Sequence, residues 1–82
     1  MKALRYTADA LKDLKRYGSM AARVRAAMTD YAADQAAHSN NVTQLVGATA
    51  KRMRVGDFRV IFEETAGDLL VTKIAPRGSV YD

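Results

Sequence analysis

Arg52, Arg54 and Arg59 lie within one short run, Arg52-Met53-Arg54-Val55-Gly56-Asp57-Phe58-Arg59-Val60-Ile61-Phe62, and Arg77 and Tyr81 follow one strand later. A guanidinium is a permanent cation whose planar fork matches phosphate oxygens, and a phenol ring can stack on an unpaired base. Gathered on one surface, such a set grips a phosphate backbone. Successive side chains of a strand alternate between faces, so Arg52 and Arg54 point one way and Met53 and Val55 the other. After a turn at Gly56-Asp57, Phe58, Val60 and Phe62 take the apolar face, and Arg59, Ile61 and Glu63 the face opposite. If both strands bury their apolar sets in one core, the arginines share the other surface. The reverse arrangement would bury unpaired guanidinium groups at prohibitive cost.

The elements that must carry this surface belong to one small domain. Eighty-two residues bury only roughly 60% of the surface exposed by the unfolded chain, which predicts a single domain over residues 1–82. Hydrophobic residues make up 49% and charged residues 27% of the chain, a balance that predicts folding rather than disorder. With no cysteine, disulfides and cysteine-ligated zinc are excluded. The charged N-terminus, the lack of a long apolar run and the lack of disulfides predict a cytoplasmic location. A net charge of +4 favours a polyanion or an acidic protein as partner.

Along the chain, Leu4 and Tyr6 fit a first strand, and Thr7 is placed to cap a helix with Asp9 in its first turn and Lys15 and Arg16 in its last. Leu11, Leu14 and Tyr17 recur at helical spacing, and Gly18 is placed to end the helix. Ser19 then caps a second helix striped by Met20, Val24, Ala27, Met28 and Tyr31. The polar run from about Ala37 to Gly47, centred on His38-Ser39-Asn40-Asn41, reads as a loop. His38 has no metal-ligating companions there and reads as a surface residue. Strands follow at about Ala48 to Val55, Phe58 to Glu64 and Leu69 to Ala75, with a last turn at Ala66-Gly67-Asp68. Pro76 lacks a ladder donor, so the closing segment is expected to leave the sheet and fold back beside the arginines. The expected class is α+β: an N-terminal strand, a two-helix hairpin and a three-stranded antiparallel meander, forming one twisted sheet with helices on one face.

The run Met53-Arg54-Val55-Gly56-Asp57-Phe58-Arg59-Val60-Ile61-Phe62 is similar to the "LRVGDYRVIY" core of the RelE/ParE superfamily of type II toxins. The ending Ala75-Pro76-Arg77-Gly78-Ser79-Val80-Tyr81 resembles its "GHRxxVY" close. The resemblance covers nearly the whole chain and implies a toxin neutralised by a cognate antitoxin. In the RelE branch it implies an mRNA endonuclease (mRNA interferase) that needs neither metal nor cofactor, works in the ribosomal A site and inhibits translation. The alternatives are a ParE-like inhibitor of DNA gyrase and an inactive member that only binds antitoxin. Carried over by position, the resemblance implies catalytic roles for Arg52, Arg59, Arg77 and Tyr81, and RNA binding by Arg54; Lys51 and Lys73 are further candidates for RNA binding.

Attack by the RNA's own 2′-OH needs a proton acceptor, positive charge at phosphorus and a proton for the leaving oxygen. Arginine suits the second task and is a poor base near neutral pH. The candidates for the first are Tyr81, Lys51, Lys73 and Glu63. Lys51 shares strand parity with Met53, and Tyr81 is preferred as a stacking platform.

Overall fold

The computed structural model describes residues 1–36, 39–44 and 50–76. In chain order it contains β1 (Ala3–Tyr6), α1 (Ala8–Arg16), α2 (Gly18–Ala33), a 3-10 turn (Ser39–Asn41), β2 (Val42–Gln44), β3 (Ala50–Val55), β4 (Phe58–Glu64) and β5 (Asp68–Pro76). The strands form one sheet in the order β1-β5-β4-β3-β2, antiparallel throughout except for the parallel pairing of β1 with β5. Both helices pack against the core face of this sheet. The expected α+β class and element order are therefore present. The polar run expected as a loop instead contains the 3-10 turn and an edge strand, β2. His38 lies outside the described residues.

Thr7 caps α1 as expected, its hydroxyl accepting the Ala10 N–H at 3.1 Å. Gly18 does not end that helix. Tyr17 serves as C-cap of α1 and N-cap of α2, and Gly18 is the first residue of α2, so Ser19 lies inside the helix it was expected to cap. The buried face of α1 is Ala10 and Leu14, while Leu11 is 47% exposed. A nine-residue helix shows too few turns for periodicity alone to fix its inward face. The stripe on α2 is as expected: Val24, Ala27, Met28 and Tyr31 are buried and Met20 packs at the margin. These side chains meet Met53, Val60, Phe62, Leu69, Val71 and Ile74 of the sheet. Edge-on ring contacts of Tyr17 with Phe58 (5.1 Å) and Tyr31 with Phe62 (5.4 Å) join the layers.

The β3–β4 hairpin turns through Gly56 and Asp57, with Val55 paired to Phe58. Gly56 has φ +59°, a conformation that L side chains rarely adopt, and its position first in a two-residue turn suits the twist of a tight hairpin. The last turn is shifted by one residue from expectation, because Asp68 already pairs with Ala3 in β5. The register of β4 against β5 slips at Ile61/Phe62: Ile61 faces Lys73 while Phe62 faces Val71. Thr72 is the extra residue, and its hydroxyl donates to the Ile61 carbonyl at 3.3 Å. This bulge lets Val71 and Ile74, three positions apart, both be buried.

Pro76 itself remains in the sheet. It is the last residue of β5, opposite Phe58. The pairing of β1 stops at Val71, so among the described residues the end of β5 borders only β4, and a missing ladder donor is tolerated on such an edge. On the same edge the Ile74 N–H donates to Asp13 Oδ2 of α1 at 2.9 Å.

Glu64 continues the core-facing parity of Phe58, Val60 and Phe62, which brings a carboxylate under the helices. Its Oε1 accepts from Tyr31 Oη at 2.8 Å and from Lys51 Nζ at 2.7 Å, and its Oε2 lies 3.3 Å from Lys2 Nζ. Lys2 also donates to the Thr65 carbonyl. Burial pushes the Glu64 carboxyl up, but hydrogen bonds from Lys51, Tyr31 and Lys2 outweigh it and hold the carboxyl below its ordinary value. Burial, together with the hydrogen bond to and charge of Glu64, raises the Tyr31 phenol to about 12. The phenol therefore stays a donor across the neutral range.

A carboxyl whose value is lowered by folding contributes stability that is complete above its unfolded value. That contribution is lost as pH falls through the folded value. Replacing the charged acceptor in Glu64→Gln should cost about 2 kcal/mol near neutrality. The variant's stability should also fall less steeply on acidification. Urea unfolding at a series of pH values checks both, and parallel curves for the two proteins would contradict them.

Candidate nucleic-acid interface

Because β3 and β4 bury Met53, Val55, Val60 and Phe62 under the helices, their alternate residues emerge on the sheet face that the helices leave uncovered. Register then fixes the neighbours. Arg54 lies directly opposite Arg59, and Arg52 lies opposite Ile61 on β4 and Thr43 on β2. The three guanidinium groups line one cleft of about 120 Å³ with Asn40, Asn41 and Thr43. No acidic side chain is among these six residues. Arg59 is partly buried, and its Nη1 is buried without a hydrogen-bond partner among the described residues.

Two cations facing each other across a strand pair are destabilising by about 0.2–1 kcal/mol. An unsatisfied buried donor adds a desolvation penalty of about 1–3 kcal/mol. The free protein thus carries a small electrostatic cost at this site, which a bound anion would relieve. A phosphate oxygen is the matching acceptor, since guanidinium groups donate and never accept.

Of the residues expected to act together, the structure gathers Arg52, Arg54 and Arg59. It does not bring Lys51 to them: Lys51 projects to the helix-covered face, as its parity implied, and is engaged by Glu64 at 2.7 Å. Lys73 is also apart from the arginines. With Thr72 it lines a separate cleft of about 350 Å³ against Asp9, Lys12, Asp13 and Arg16 of α1. Glu63 has the parity of Arg59 but lines a different hollow with Arg5, Thr65, Asp68 and Leu70. Arg77 and Tyr81 lie outside the described residues. Among the described residues, therefore, the arginine cleft contains no group suited to proton transfer near neutral pH.

Sequence reasoning did not single out Asn40, Asn41 or Thr43. Their signal was present as polar residues flanking Val42, whose partly buried side chain packs on the core and whose partner is Met53. The pairing that brings them to the arginines is non-local and leaves little trace in three residues of strand.

Solved structures of other proteins share this fold. The chain is similar to a chain of the archaeal RelE-RelB complex from Pyrococcus horikoshii OT3, at 20% identity and a TM-score of 0.78, covering 96% of this chain and 98% of that one. It is similar to a chain of the E. coli DinJ-YafQ toxin-antitoxin complex at 15% identity and a TM-score of 0.77, with 99% and 98% covered. A chain of the RelB-RelE antitoxin-toxin complex from Methanococcus jannaschii matches at 22% identity and a TM-score of 0.69, with 93% of each covered. No protein-family model and no curated protein matches the sequence. At these identities the likeness defines the architecture: the chain has the α+β fold of RelE-like toxins.

Relieving the Arg54–Arg59 opposition should stabilise the free protein. Arg54→Gln is expected to gain about 0.5 kcal/mol at low ionic strength, a rise of about 2–4 °C in thermal midpoint for a domain of this size. The gain should shrink in high salt as the repulsion is screened. Calorimetry at two salt concentrations measures it, and a lower midpoint for Arg54→Gln at low salt would contradict the assignment.

Proposed function

We propose that the chain is the toxin of a type II toxin-antitoxin system and acts as a ribosome-dependent mRNA endonuclease in the cytoplasm. The observation that carries this reading is the convergence of Arg52, Arg54 and Arg59 on one cleft, with an Arg59 N–H that is buried and has no partner among the described residues. The resemblance of the β3–β4 hairpin and of the closing segment to the RelE/ParE superfamily, together with the RelE-like fold, supports the class.

In the proposed mechanism, the arginine face binds the mRNA backbone on both sides of the reacting phosphate. Arg59 stabilises the charge that develops at phosphorus, and Arg52 and Arg54 hold the flanking phosphate oxygens. Arg77 contributes a further cation and Tyr81 stacks on an unpaired base, in keeping with their places in the resembling close. With no proton-transfer group among the described residues of the cleft, in-line positioning of the 2′-OH by the ribosome carries much of the catalysis. Positioning of this kind can lower a barrier by about 7–11 kcal/mol. A cognate antitoxin neutralises the protein by occupying or distorting the basic face.

Primer extension on a defined mRNA in a translating extract tests this reading. The protein should produce codon-phased cuts only when ribosomes are present, and Arg59→Ala should reduce cutting by roughly a hundred- to a thousandfold, the cost of losing one preorganised charge donor. Intact mRNA in the presence of folded, growth-arresting protein would contradict nuclease action and direct the search to DNA gyrase.

A further inference from the structure

Among the described residues, β5 beyond Val71 has β4 on one side and no strand on the other. β1 pairs with β5 from Ala3 opposite Asp68 to Tyr6 opposite Val71, and the chain then turns into α1. An edge left in this way needs other partners for its backbone groups. Two side chains at and beyond that turn supply them. Thr7 Oγ1 donates to the Thr72 carbonyl at 3.4 Å, and Asp13 Oδ2 accepts the Ile74 N–H at 2.9 Å. The threonine bond is long and comes from a hydroxyl that also caps α1. The aspartate bond is the tighter tie, and it lies beyond the bulge.

We infer that Asp13 is a positioning residue for the arginine site: from α1 it holds the end of β5, which flanks Arg59 and leads into Arg77. The inference rests on the proposed RNA-binding role and adds a residue that touches none of the arginines of the cleft. Ile74 pairs with Val60, and the next residue, Ala75, lies directly opposite Arg59, with Arg54 on the other side of that arginine. Ala75 is buried yet stands outside the core cluster that takes in Ile74, as strand alternation requires of a residue on the uncovered face. The end of β5 is thus one wall beside Arg59. Arg77 follows Ala75 by two residues in the sequence.

The tie at Ile74 is also the last one possible on that edge of β5. Pro76 ends the strand and shares the parity of Ile74, but a proline has no N–H to offer. Without the Asp13 acceptor, the segment that leads into Arg77 is held by β4 alone. Strand ends held on one side open locally while the core stays folded. Loss of the tie should therefore act on the site before it acts on the fold.

Two variants separate the acceptor from the charge. Asp13→Asn keeps a side-chain oxygen at the same reach, Asp13→Ala removes it, and both remove the same charge. The test measures the affinity of the full chain for a labelled single-stranded oligouridine RNA by fluorescence anisotropy over a range of salt concentrations. Asp13→Ala should make the slope of log affinity against log salt concentration shallower by about 0.7, the share of one phosphate contact. Asp13→Asn should keep the wild-type slope. Arg77→Gln alone should also lower the slope by about 0.7, and adding it to Asp13→Ala should lower it no further. A role confined to stability would lower the unfolding midpoint and leave the slope of the folded protein unchanged. Hydrogen exchange on the wild-type protein needs no variant to fold: the Ile74 amide should exchange more slowly than an unbonded amide. An unprotected Ile74 amide, a wild-type slope in Asp13→Ala, a slope in Asp13→Asn as shallow as that of Asp13→Ala, or a further drop on adding Arg77→Gln would overturn the inference and leave the RNA-binding role standing. Absence of RNA binding by the wild-type protein at low salt would overturn both.

Discussion

A guanidinium group is costly to bury without a partner, and the helices of this protein cover only one side of its sheet. Together these two facts decide which way each strand faces. Met53, Val55, Val60 and Phe62 go under α1 and α2, and period-two alternation sends Arg52, Arg54 and Arg59 to the uncovered side. The register of β3 with β4 then sets Arg54 against Arg59. The arginine face is thus a consequence of how the core is closed, and the edge strand β2 completes it by bringing Thr43 beside Arg52.

The two faces of β4 treat charge in opposite ways. On the helix side Glu64 is held by Tyr31, Lys51 and Lys2, and its carboxyl is stabilised as an anion. On the uncovered side Arg59 keeps a buried N–H without a protein acceptor among the described residues. A compensated, partly buried charge serves the fold, because removing a partner would leave that charge unpaired. An uncompensated one lowers stability unless a ligand completes it. This asymmetry is the physical content of the proposed function: the stability given up by opposing Arg54 and Arg59 is recovered when an anion enters the cleft.

Much of this was legible in the sequence, because the β3–β4 hairpin obeys local rules. Its alternation runs from Arg52 to Arg59 across the turn at Gly56-Asp57, and Ile61 is the one apolar residue on the arginine side before Phe62, so the shared arginine face followed directly. Other features depend on non-local pairing. The bulge at Thr72 is such a case, although Lys73 at the parity of Leu69 and Val71 was its visible trace. Lys51 was a candidate for the site despite sharing the parity of Met53, and its actual partner, Glu64, lies across the hairpin on the helix side. Asn40 and Asn41 stood in a polar run that reads as a loop, because a three-residue strand with one apolar side chain carries almost no periodic signal. Leu11 shares the helical spacing of Leu14 and Tyr17 yet is exposed, since a helix of a few turns fits more than one apolar stripe.

The central claim is that Arg52, Arg54 and Arg59 act as one phosphate-gripping site. It is tested most directly by the salt dependence of affinity for a single-stranded RNA. Each phosphate neutralised on a single strand contributes about −0.7 to the slope of log affinity against log salt concentration. Replacing any one of the three arginines by glutamine should therefore make the wild-type slope shallower by about 0.7. Slopes that stay at the wild-type value in all three variants would contradict the claim and place the phosphate contacts elsewhere on the protein.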